Sequence, residues 1–77
     1  MKHIYVDLQA ADQETIGIGL ESDIGQELHD GERVILYDDE LEVKATTHSK
    51  VYHGQHGTEH YWIGNFNEKD IRLKSTL

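Results

Sequence analysis

Apolar and polar residues alternate at period two along most of the chain, which puts one face of each extended segment in a core and the other in water. Ile4, Val6 and Leu8 alternate with His3, Tyr5 and Asp7, predicting a first strand that ends at the turn-prone Ala11-Asp12-Gln13-Glu14. Ile16, Ile18 and Leu20 alternate with Gly17 and Gly19, predicting a second strand that bends, bulges or admits a close neighbour at its glycines. Residues 22–31 break the alternation. Asp23 with Gln26 three positions on, Ile24 and Leu28 on one face, and Gly31 as a stop predict one short helical turn near residues 23–30. Gly25 inside it disfavours a helix, so a 3₁₀ turn or an irregular loop is the alternative.

Residues 32–37 read as a strand that is apolar on both faces, hence central and covered on each side. Asp38-Asp39-Glu40 then turns the chain, and Leu41, Val43 and Ala45 alternate with Glu42, Lys44 and Thr46. Residues 32–48 therefore predict a hairpin with an acidic tip. Gly54-Gln55-His56-Gly57 separates 50–53 from 58–66, a second hairpin carrying Tyr52, Tyr61, Trp62 and Phe66. Ile71 and Leu73 predict a last short edge strand before a frayed end at 74–77. Short strands must hide their edges, so the expected fold is all-β: a small SH3-like β-barrel of five or six antiparallel strands. An open sheet with one packed helix is the main rival.

Seventy-seven residues are enough for one core, so residues 1–77 are expected to form one small β-barrel domain, with a stability of about 4–12 kcal/mol. The chain has no cysteine, which removes disulfides, thiolate metal sites and cysteine nucleophiles, and fits a reducing compartment. Met1 to Asp7 reaches an acid before any apolar stretch of signal-peptide length, and no later stretch approaches a membrane span. A cytoplasmic protein with no membrane contact is the expectation. Fifteen acidic against seven basic side chains, a formal charge of −8, repel phosphate backbones, so direct nucleic-acid binding is not expected. A basic partner suits that charge, and so does a plain role in solubility.

The run Ile4-Tyr5-Val6-Asp7, the stretch from Leu28-His29-Asp30-Gly31-Glu32-Arg33 through Val43, and Tyr61-Trp62-Ile63 together resemble a group of small bacterial β-rich proteins of unknown function. The resemblance spans most of the chain. Its motifs are framework features, a glycine turn entering a hairpin and a late tryptophan strand. They imply a shared SH3-like small-barrel architecture and transfer no catalytic or binding residue.

Two groups of residues carry candidate chemistry. His48, His53, His56 and His60 could hold zinc or nickel, since neutral imidazoles are good ligands for such ions. With the turn centred on Gln55-His56, residue 53 pairs with 58 and 51 with 60. His53 and His60 then lie diagonally on one face about 7–8 Å apart, and His56 completes a three-ligand set only if the loop folds back. The plain alternative is a set of solvated histidines on a polar face, with no cofactor at all. Asp38, Asp39, Glu40 and Glu42 lack the spacing of a calcium loop and read as a solvated hairpin tip. Among the aromatics, Tyr5, Tyr37 and Trp62 are the candidate partner-binding residues, an exposed patch of the kind small barrels offer to peptides or methylated lysine. Trp62 has filling the core as its alternative, while Tyr5 and Tyr37 alternate against strongly apolar neighbours and so point outward.

No phosphate-cradling loop, nucleophile elbow or HExxH pattern occurs, and the expected function is non-enzymatic. It is that of a small binding module for a protein or basic-peptide partner. Histidine-cluster metal binding and an acidic structural or DNA-mimic role remain as alternatives. A weak homodimer through an uncovered strand edge near Ile71 fits any of them.

Overall fold

A computed structural model describes residues 1–20 and 24–74. Six strands form one sheet: β1 (Lys2–Tyr5), β2 (Thr15–Leu20), β3 (Arg33–Tyr37), β4 (Leu41–Gly54), β5 (Gly57–Asn65) and β6 (Arg72–Leu73). Two 3₁₀ turns, Leu8–Ala10 and Glu68–Asp70, complete the regular structure of the described residues. The strand order is β1-β3-β4-β5-β2, with β6 pairing the start of β4. The fold is all-β, a sheet curled into a half-barrel.

Alternation explains which side chains meet. Ile4 and Val6, Val34 and Leu36, Val43 and Ala45, Ile16, Trp62 and Phe66 all turn to one side and form a single cluster with Leu8 and Leu28. Thr47 continues the row of Val43 and Ala45 and is fully buried. β3 is the apolar centre that its sequence implies: it lies between β1 and β4, with Val34 and Leu36 inside and Ile35 covered on the opposite face.

Three details differ from the expected pattern. The strands are not all antiparallel, because β1 runs parallel to β3, Lys2 beside Val34 through Tyr5 beside Tyr37. The long connection between the two strands makes a parallel pairing accessible, whereas adjacent hairpin strands must be antiparallel. The two expected hairpins share one strand, since β4 pairs with β3 through its first half and with β5 from Thr46 onward. The start of the helical turn expected near 23–30 lies outside the described residues, as do residues 75–77 of the expected frayed end. Residues 25–29 carry no helix, and Ile24 and Leu28 still pack on the core as their spacing suggests.

Two glycines shape the sheet. Gly19, at φ +134°, sits where the β2–β5 register shifts, a bulge that tightens the curl. Gly64 lets β5 lie against the core: a Cβ there would come within 2.8 Å of Leu36 Cδ1.

The β4–β5 hairpin runs past the body of the sheet. At about 3.3 Å per residue, the fourteen residues of β4 account for the 44 Å long axis of a molecule only 24 × 21 Å across. Among the described residues no helix is long and apolar enough to cross a membrane.

Candidate functional site

The ends of β1 and β3 place Tyr5 and Tyr37 side by side on the outer face of the sheet, opposite the core. Their rings meet edge to face, centroids 5.5 Å apart at 80°, and His3 contacts the Tyr37 ring at 6.3 Å. Tyr5 is 59% exposed. Its hydroxyl donates to Asp39 Oδ1 at 3.3 Å. A cavity of about 330 Å³ opens beside it, lined by Tyr5, Asp7, Gln9, Asp38, Asp39 and Glu40.

The acids of this cavity have separate duties. Asp38, the first residue of the β3–β4 turn, is buried, and its Oδ1 accepts the amides of Glu40 at 2.8 Å and Leu41 at 2.6 Å. Those two amides, Leu41 foremost, hold its carboxyl below the usual carboxylate range. Asp7 caps the first 3₁₀ turn by accepting the Gln9 amide at 3.1 Å. Asp39 and Glu40 are exposed at the tip. Asp39 is also the main reason the Tyr5 phenol titrates above its ordinary value, since the nearby negative charge opposes forming a tyrosinate.

The opposite side of this surface already holds a cation. Lys74 Nζ lies 5.0 Å from the centroid of the Tyr37 ring and donates to the Asp38 carbonyl at 3.1 Å, while the Lys74 amide donates to Glu40 O at 2.8 Å. An ammonium over an aromatic face beside acids gains from the ring quadrupole and from Coulomb attraction together.

Trp62 does not belong to this surface. It is 5% exposed and packed in the core cluster, on the inner side of β5 where period-two alternation puts it beside Gly64. Its indole N–H finds no acceptor among the described residues. The outer-face aromatic pair is therefore Tyr5 with Tyr37, and Trp62 is a core residue.

The histidines fall on the projecting hairpin in the expected register: His53 pairs with Thr58 and His60 with Val51. Among the described residues, however, no three His, Cys, Asp or Glu side chains come together to hold an ion. His56 sits in the turn beyond the last paired rung, and His53 and His60 belong to separate rungs, so the hairpin does not gather the three rings. His53 Nδ1 lies 3.3 Å from the Thr58 hydroxyl, and His48 Nδ1 lies 3.5 Å from Asp30 Oδ1.

A second concavity of similar volume lies between β3, β4 and β6, lined by Arg33, Ile35, Glu42, Lys44, Asp70 and Arg72 among others. Its charges are mixed, with Arg72 Nε paired to Glu42 at 3.3 Å. The residues sequence reasoning missed are Asp7, Asp39 and Lys74. Asp39 was legible only as part of an acidic tip, because nothing in the local pattern reveals that a parallel β1 brings Tyr5 beside that tip. No protein-family model matches this chain, and comparison with curated proteins and with solved structures finds no match to either.

Proposed function

We propose that this chain is a small non-enzymatic binding module whose Tyr5–Tyr37 surface takes a lysine-bearing segment of a partner protein. The observation that carries the reading is Lys74, an ammonium of the chain itself seated over Tyr37 against the Asp38 carbonyl. A partner lysine entering the adjoining cavity would meet the exposed Tyr5 ring, the free oxygens of Asp7 and Asp39, and Glu40. The formal charge of −8 would draw a basic segment toward the molecule and speed its arrival. A cytoplasmic setting fits the absence of cysteine.

The test is calorimetric titration with a short lysine-rich peptide. Asp39→Asn and Tyr5→Ala should each weaken binding about two- to five-fold, the range an exposed cation–π contact or ion pair supplies. Glu68→Gln removes the same single charge from the 3₁₀ turn at Glu68–Asp70, outside the cavity, and should leave affinity unchanged. Equal losses from Asp39→Asn and Glu68→Gln would mean that the peptide responds to net charge alone, and the site would be refuted.

A further inference from the structure

We propose that two copies of this chain pair through the exposed edge of the projecting β4–β5 hairpin, β4 against β4, around a two-fold axis at Tyr52. The edge of β4 away from β5 is covered at first: Thr47 N donates to Glu32 O at 2.8 Å, Thr47 O accepts from Gly31 N at 2.7 Å, and Ser49 N donates to Asp30 Oδ1 at 2.9 Å. Alternate residues point their backbone groups to the same edge. The next two, Val51 and His53, therefore present N–H and C=O groups outward, and these meet no partner among the described residues. Along residues 50–54 that edge carries one charged side chain, Lys50, as a guard against strand addition. The edge has no proline, and its register with β5 is unbroken from Thr46 to Gly54, so it lacks the bulges with which proteins discourage strand addition.

The same stretch carries exposed apolar surface on both faces, Val51 at 49% on one and Tyr52 at 57% on the other. A two-stranded ribbon of this kind is marginally stable alone in water and gains from added strands.

Charge selects a second copy as the occupant. Between residues 50 and 61, Lys50 and Glu59 are the only charged groups apart from histidines. They cancel, so the whole −8 lies on the rest of the molecule. The hairpin is the surface where two such acidic bodies can meet without opposing like charge, and the 44 Å long axis carries the bodies to opposite ends of the pair. With the axis at Tyr52, Val51 of one copy exchanges backbone hydrogen bonds with His53 of the other, and the two Tyr52 side chains face each other across the narrow rung. Paired edges of this length make a small interface, consistent with a dissociation constant on the order of 100 μM. The pairing is independent of the Tyr5 surface.

Sedimentation equilibrium over about 10 μM to 1 mM tests it. The wild-type weight-average mass should rise toward twice the monomer value, and further at higher salt, where repulsion between the acidic bodies is screened. Val51→Lys, at a side chain already half exposed, should keep the monomer's circular dichroism and remain monomeric. Leu73→Lys, on β6 at 77% exposed, should associate like the wild type. A wild type monomeric throughout, or a Val51→Lys variant that associates as the wild type does, would overturn the proposal. Loss of association in Leu73→Lys alone would also overturn it, by moving the interface to β6.

Discussion

Thr47 illustrates how much one polar side chain can organise. Fully buried in the row of Val43 and Ala45, it donates to His29 O at 2.8 Å and lies 3.2 Å from Glu32 O, which fastens the loop ahead of β3 to the middle of β4. Thr47→Val keeps the shape and removes the hydroxyl donor, while His29 O keeps the Glu32 amide and Glu32 O keeps the Thr47 amide, so chemical denaturation should show a loss of about 0.5–1.5 kcal/mol. Thr47→Ser, which keeps the hydroxyl, should lose less. Asp38 acts through its charge state. Two turn amides hold its carboxyl below the ordinary range in the folded chain, so its contribution is present at neutral pH and is lost as the pH falls through the folded value. Asp38→Asn should therefore lower the thermal midpoint at pH 7 and flatten the acid limb of the stability curve. An acid limb identical to wild type would show that those amides do not select the carboxylate. Trp62, 5% exposed, is a packing residue. Trp62→Ala should cost about 3–5 kcal/mol, a large part of a total that is about 4–12 kcal/mol for a chain of this size.

At the scale of elements, period-two alternation made most strands readable. Val34 and Leu36 faced Ile35 across an apolar strand, Val43 and Ala45 opposed Glu42 and Lys44, and the Gln55-His56 turn set the hairpin register that the structure has. Thr47 extends that same alternation, yet its side chain is polar and so hid its core position. The parallel pairing of β1 with β3 was not legible, because strand partners separated by a long connection leave no local trace. Over residues 25–29 the irregular loop, the alternative that Gly25 favours, is what forms. Ile24 and Leu28 are spaced as on a helix, and both pack on the core although the chain between them, residues 25–27, is not helical. Gly64 belongs to this scale because its bare backbone sets how closely β5 approaches β3. Gly64→Ala would drive a Cβ to 2.8 Å from Leu36 Cδ1, the end of a fully buried side chain that would have to shift within the core. The expected loss is about 1–3 kcal/mol by chemical denaturation.

For the whole molecule, the half-barrel separates its surfaces. The Tyr5 cavity lies on the outer face beside the β3–β4 turn, and the neutral hairpin projects at the far reach of β4. The sequence announced the acidic tip and the outward tyrosines separately. Only the sheet order brings them together, since β1 must lie beside β3 before Tyr5 can donate to Asp39. The histidines ran the other way, close in sequence yet spread by the ribbon over different rungs. The most direct test of the central claim is residue-resolved nuclear magnetic resonance titration of the dilute chain with a short lysine-rich peptide. The account predicts shifts confined to Tyr5, Asp7, Gln9, Tyr37 and residues 38–40, together with a lower Tyr5 titration point, because the arriving ammonium offsets the Asp39 charge that raises it. Shifts centred on residues 50–61 or on the groove around Ile35, or spread evenly over every acidic side chain, would contradict it.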